Sequence, residues 1–119
     1  MEEADNILVV SFRQIGCRIP KSVASVADFT SDVIVNAAAT VVNLAEGLEG
    51  DAAFSTKLPS NVAGRHRICQ KLGQKIKEMG YSGDAGYNQF LYPNERDTRK
   101  LLMFLVERIP KSQEEEVEE

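Results

Sequence analysis

Between Val33 and Ala45 the chain is apolar for 13 residues, interrupted by the amides of Asn36 and Asn43. Crossing a bilayer as a helix takes about 20 apolar residues, so this run predicts a helix buried in protein, not in lipid. It is expected to start near Asp28 or Thr30 and to reach about Glu46. Phe29, Val33, Ile34, Ala37, Ala38, Val41, Leu44, Ala45 and Leu48 make its apolar face, and Val35 and Val42 add apolar surface on the opposite side. A helix that is apolar nearly all round belongs at the centre of a bundle. The β-branched run Val33-Ile34-Val35 taken alone would suit a strand. Three consecutive alanines, the uninterrupted length and the want of a partner strand elsewhere favour helix.

The rest of the chain supplies helices to surround it. From Ala4 to Ile15, Ile7, Leu8, Ser11, Phe12 and Ile15 recur at helical spacing and predict one inward face. Glu2, Glu3 and Asp5 suit the positive end of that helix's dipole, and Gly16 suits its left-handed stop. Pro20 keeps a linker from Cys17 to about Ser25 extended. Gly47 to Pro59 is rich in turn formers and reads as a loop. Ser60 or Asn61 can cap a third helix that runs to Met79 and stops at Gly80. Its expected buried stripe is Val62, His66, Cys69, Leu72, Gly73, Ile76 and Met79. A turn at 82–86 leads to a short aromatic helical turn from Tyr87 to Tyr92, ended by Pro93. Asn94 caps the last helix with Asp97 at the capping-box position. Glu95 pairs with Arg99, and Leu101, Leu102, Leu105 and Ile109 face inward before Pro110.

A chain of 119 residues holds one domain with one modest core. Its formal charge of -4 is unevenly spread, because Glu114, Glu115, Glu116, Glu118 and Glu119 crowd the end. Without them 14 basic residues face 13 acidic ones. Residues 1–110 are therefore read as the folded domain and 111–119 as an acidic flexible tail that begins a linker. The opening Met1-Glu2-Glu3 lacks the basic start and apolar run of a signal peptide. Cys17 and Cys69, far apart and outside any Cys-x-x-Cys pair, read as reduced core thiols of a cytoplasmic protein.

Chemistry is sparse. The one histidine, His66, lies on the expected apolar stripe of its helix, where a packed core residue is the ordinary reading and a catalytic base the exception. No phosphate loop, dinucleotide fingerprint or Gly-x-Ser-x-Gly elbow is present. Two cysteines and one histidine cannot assemble a tetrahedral zinc site. These observations predict no enzyme, no cofactor and no metal.

Two surface features remain. Arg67, Lys71 and Lys75 recur every four residues and share one helix face, with Arg65 and Lys77 nearby. This stripe is either a docking surface for an acidic partner or a solvated face that keeps the domain soluble. Nucleic acid fits poorly, since no aromatics interleave with the stripe. Tyr81, Tyr87, Phe90 and Tyr92 cluster beside Pro93 and make either a hot spot for a partner or a satellite core. Arg67, Lys71, Lys75, Tyr87 and Tyr92 are thus the candidate docking residues.

A family resemblance sharpens this. Met1-Glu2-Glu3-Ala4-Asp5 followed by Ile7-Leu8 resembles the amino terminus of the coiled-coil domain-containing protein 22 family. So do Gly80-Tyr81 and the closing run from Phe104 through Leu105, Val106, Glu107, Arg108 and Ile109 to Pro110. Gly86-Tyr87-Asn88-Gln89-Phe90-Leu91-Tyr92-Pro93 is the most specific part, while 17–27 and 48–59 match loosely. The resemblance implies a divergent calponin-homology-like (NN-CH) domain, of the type shared with kinetochore and intraflagellar-transport proteins, placed ahead of long coiled coils. It implies partnership with COMMD-family proteins and a paralogous coiled-coil protein in the CCC part of the Commander complex, which recycles membrane receptors from endosomes. Links to cullin ubiquitin ligases and NF-κB signalling are implied as well. So is a cytoplasmic, endosome-associated location, with the centrosome as a second place.

The expected architecture is all-α, a compact bundle of four main helices plus short turns, without membrane insertion and monomeric when isolated. The expected function is a non-catalytic scaffold domain, and the alternative is a calponin-homology module that binds actin or microtubules through Arg67, Lys71 and Lys75.

Overall fold

Thr30 sits in extended backbone, and its Oγ1 accepts the Val33 amide at 3.4 Å, starting the central helix where the sequence placed it. The computed structural model describes residues 2–83 and 85–109. Within them the α-helices are α1 Glu2–Gln14, α2 Ser31–Glu46, α3 Val62–Glu78, α4 Tyr87–Leu91 and α5 Glu95–Glu107. Short 3₁₀ turns lie at Val26–Asp28 and Gly50–Ala52, and no strand occurs among the described residues. The last helix, expected to run to Pro110, already ends at Glu107. The tail expected at 111–119 and the dipole role of the Glu2 and Glu3 side chains lie outside what is described.

The caps follow the sequence closely. Asn61 Oδ1 accepts the Gly64 amide to open α3, and Asn94 Oδ1 accepts the Asp97 amide at 2.8 Å to open α5. Gly16, Gly47 and Gly80 follow α1, α2 and α3 at positive φ, where a side chain would be strained.

The core forms around α2, which packs against α3, α4 and α5. Val33, Ile34, Val35, Ala37, Ala38, Ala39, Val41 and Val42 are all buried, so the helix is covered nearly all round. Its last turn emerges, and Leu44 and Ala45 are only half-buried. The two amides that interrupt the apolar run each hold a loop. Asn36 Oδ1 accepts the Arg18 amide at 2.9 Å while its Nδ2 donates to the Thr56 carbonyl at 3.2 Å. One heptad on, Asn43 exchanges two hydrogen bonds with the backbone of Phe54, at 2.8 and 3.0 Å. These bonds let polar side chains sit on a core helix without leaving buried groups unpaired.

Two faces differ from expectation. In α1 the inward residues are Asp5, Leu8, Val9 and Phe12, whereas Ile7 is 62% exposed and Ser11 and Ile15 are half-buried. The buried Asp5 carboxylate takes the Arg99 guanidinium and the Val26 amide, and this anchor sets the rotation of the helix. Val9, one turn on, is carried inward, and Ile7, about 200° away around the helix, is carried out. In α3 the buried residues are Cys69, Leu72, Gly73 and Ile76. Val62, expected on the buried stripe, is 69% exposed, and His66 and Met79 are half-buried. The first turn of α3 projects past the core.

Gly73 permits a close approach of backbone to helix. A Cβ there would fall on the Ala85 carbonyl oxygen, so only glycine lets the segment before α4 lie against α3.

Candidate docking surface

The basic stripe lies on α3 opposite its buried residues, as the four-residue spacing requires. Arg67 and Lys71 are exposed and make no ion pair among the described residues. Lys75 is different. Its Nζ lies 3.1 Å from Glu46 Oε1 and 3.7 Å from Glu78 Oε1, and the hydrogen bond to Glu46, with its charge, raises the ammonium pKa. The flanking cations are also engaged: Arg65 Nε donates to the Pro59 carbonyl and Lys77 Nζ to the Gly83 carbonyl, at 3.0 and 2.6 Å. The expected three-cation stripe thus presents two cations. Glu78 was readable as an i+3 partner of Lys75, but Glu46, from another helix, carried no sequence signal.

The aromatic cluster separates into two environments. Tyr81 and Phe90 are buried, and Tyr81 packs on Phe104 with centroids 5.1 Å apart. Tyr87 and Tyr92 remain outside, 39% and 70% exposed. Tyr87 stacks on His66 with centroids 4.3 Å apart and planes inclined by 25°. This contact explains the histidine: it is neither a core residue nor free, but the base on which α4 rests its tyrosine. Tyr92 caps the other end of α4, next to Leu91, whose carbonyl accepts from Ser31 Oγ at the start of α2. Tyr87 thus rests on α3 at His66, about 100° around the helix from Arg67, and Tyr92 lies at the far end of that short helix.

Reactive groups are sequestered. Cys17 and Cys69 are buried and unbridged, and burial pushes each thiol up to about 11. A hydrogen bond with Thr40 opposes the shift at Cys17, and the charge of Arg65 opposes it at Cys69. Among the described residues no three His, Cys, Asp or Glu side chains group as a metal site, and no helix is long and apolar enough to cross a membrane. What the α3–α4 surface offers is two cations, unpaired among the described residues, and a stacked aromatic pair, the makings of a contact with another macromolecule.

The family described as the CCDC22 protein N-terminal domain matches residues 1–110. The chain belongs to this family. Across 115 residues it is 41% identical to coiled-coil domain-containing protein 22 of Danio rerio, covering 97% of this chain and 18% of that protein. Similarity to the homolog of Nematostella vectensis is 40% over 111 residues, 93% of this chain and 17% of the relative. With the Homo sapiens protein it is 37% over 119 residues, all of this chain and 19% of the relative. The chain thus spans less than a fifth of the length of these curated relatives. As a CCDC22 N-terminal domain it is all-helical, with Arg67, Lys71 and Lys75 on α3, Tyr87 on α4 and Tyr92 just past its end.

Proposed function

We propose that this CCDC22 N-terminal domain is a non-catalytic, calponin-homology-like interaction domain that serves as a scaffold in a subunit of the CCC part of the Commander complex. In that role it supports endosomal recycling of membrane receptors, in partnership with COMMD-family proteins and a paralogous coiled-coil protein, and with links to cullin ligases and NF-κB control. The location that goes with this is cytoplasmic and endosome-associated.

One observation carries the reading. The family match runs from residue 1 to residue 110, in relatives named for coiled coils and more than five times as long. We read a small helical unit within such proteins as one that works through contact with other chains. The surface chemistry agrees, because the one imidazole is stacked under Tyr87 and both thiols are buried. Filament binding through three cations loses weight, since Lys75 is already held by Glu46.

The test is a pull-down of the full-length protein, with and without residues 1–110, scored for COMMD-family proteins and the coiled-coil paralogue. Loss of any of these on removal of 1–110 supports the reading. Full retention of all of them, together with co-sedimentation of the domain with actin or microtubules that fades as salt rises, replaces it with the filament module.

A further inference from the structure

Asn36 lies in an open cleft of about 450 Å³ between the two long loops. Arg18 and Pro20 form one wall, Thr56, Lys57 and Leu58 the other, with Thr30, Asp32 and Val33 from the start of α2 between them. Asn36 bonds both walls at once, through the Arg18 amide and the Thr56 carbonyl, so their separation is fixed. The Lys57 backbone is held within its own loop: its amide donates to Ser55 Oγ, and its carbonyl accepts from the same hydroxyl. Arg18 and Lys57 are therefore held at the backbone while both residues stay exposed, and neither is in an ion pair among the described residues. The apolar part of the lining is Leu58 and Pro20, with Val33 nearly buried at 6% exposure. Asp32 is the single acid of the lining.

We propose that this cleft binds an extended acidic segment of a partner protein, an apolar side chain seated over Leu58 and Pro20 and carboxylates on Arg18 and Lys57. The inference rests on the scaffold reading and gives it a specific contact. Charge complementarity selects the occupant. Two cations on opposite walls, with Leu58 and Pro20 beside them, match a carboxylate–apolar–carboxylate pattern, whereas a single small anion would engage one wall and leave the apolar lining uncovered. Asp32 repels carboxylates at the α2 end, which orients the segment. Walls fixed by Asn36 spare the partner the cost of ordering them.

The probe is a fluorescent acetylated pentapeptide, Glu-Glu-Leu-Glu-Glu. It is titrated into the 119-residue chain with Glu114, Glu115, Glu116, Glu118 and Glu119 changed to Gln, so that the chain's own carboxylates do not compete. Saturable binding is expected, with amide shifts at Arg18, Asn36 and Thr56. Arg18→Glu with Lys57→Glu should weaken it about tenfold or more, and Arg96→Glu with Lys100→Glu, exposed on α5, should leave it unchanged. Circular dichroism confirms that each variant is folded. No saturable binding overturns the proposal, as does a shift pattern on α3, or displacement of the peptide by millimolar phosphate or by anionic lipid vesicles. The full-length protein separates this failure from that of the scaffold reading. If the peptide does not bind but partners are still lost on removal of residues 1–110, the cleft assignment alone falls.

Discussion

Arg99 reaches across 94 residues of sequence to Asp5, its Nε on Oδ1 and its Nη2 on Oδ2, both at 2.9 Å. Two parallel bonds to a carboxylate fix orientation as well as distance. The same carboxylate accepts the Val26 amide at 3.2 Å, and Glu95 meets the guanidinium at 2.9 Å, so three elements meet at one acid. Asp5→Ala leaves the Val26 amide without its acceptor and the guanidinium without its buried partner. The expected cost is about 2–4 kcal/mol in a denaturant titration, with Asp5→Asn losing less because it keeps an acceptor.

The pH dependence follows from the same contact. The bonds from Arg99, more than any other influence, hold the Asp5 carboxyl below its usual 3.8. A carboxyl depressed in the folded state contributes stability that is fully present above its unfolded value and lost as pH falls through the folded one. The stability gap between the parent and Asp5→Ala should therefore narrow as pH is lowered from about 5 to about 2. A gap of constant size would show that the carboxylate is not held as described.

Gly73→Ala should destabilise by about 1–3 kcal/mol or more, because the added methyl meets the Ala85 carbonyl and the segment leading into α4 must move. Amide shifts are expected at Ala85 and Tyr87, with weaker stacking on His66. A variant as stable as the parent would mean that this segment is not seated on α3.

Leu105 is fully buried in α5, and Leu105→Ala should cost about 2–5 kcal/mol by thermal or chemical melt. Met103, two residues away and 47% exposed, is the control: Met103→Ala should be close to neutral.

The stripe cations should differ when reversed one at a time. Arg67→Glu and Lys71→Glu are expected to leave the melting temperature near that of the parent, since neither breaks an ion pair among the described residues. Lys75→Glu places a third carboxylate beside Glu46 and Glu78 and should lower it measurably, most at low salt. Equal effects at all three positions would contradict the separation drawn here.

Much of this was legible in the chain. The run from Val33 to Val42 specified a central helix because its apolar residues fall on nearly every side, and Thr30, Asn61 and Asn94 marked helix starts through local geometry alone. What escaped was set by distant partners. The rotation of α1 depends on Arg99, so periodicity favoured Ile7 over Val9. The place of His66 depends on Tyr87, and the strength of the stripe on Glu46. Asn36 and Asn43 read as breaks in an apolar run, yet they are where the loops attach. Side chains that bond across the fold leave no local pattern.

The burial of α2 on nearly every side has a consequence for how the domain opens. Its middle amides, from Ala37 to Val42, lie under α3, α4, α5 and the loops tied to Asn36 and Asn43. No single neighbour can swing away and admit solvent to all of that backbone. Hydrogen exchange along this stretch then requires the whole domain to come apart, and its slowest amides read out the global unfolding free energy directly. The exposed turns of α3 and α4 can exchange far faster, and a partner that docks there would slow them without changing the rate at α2 unless it stabilises the entire fold.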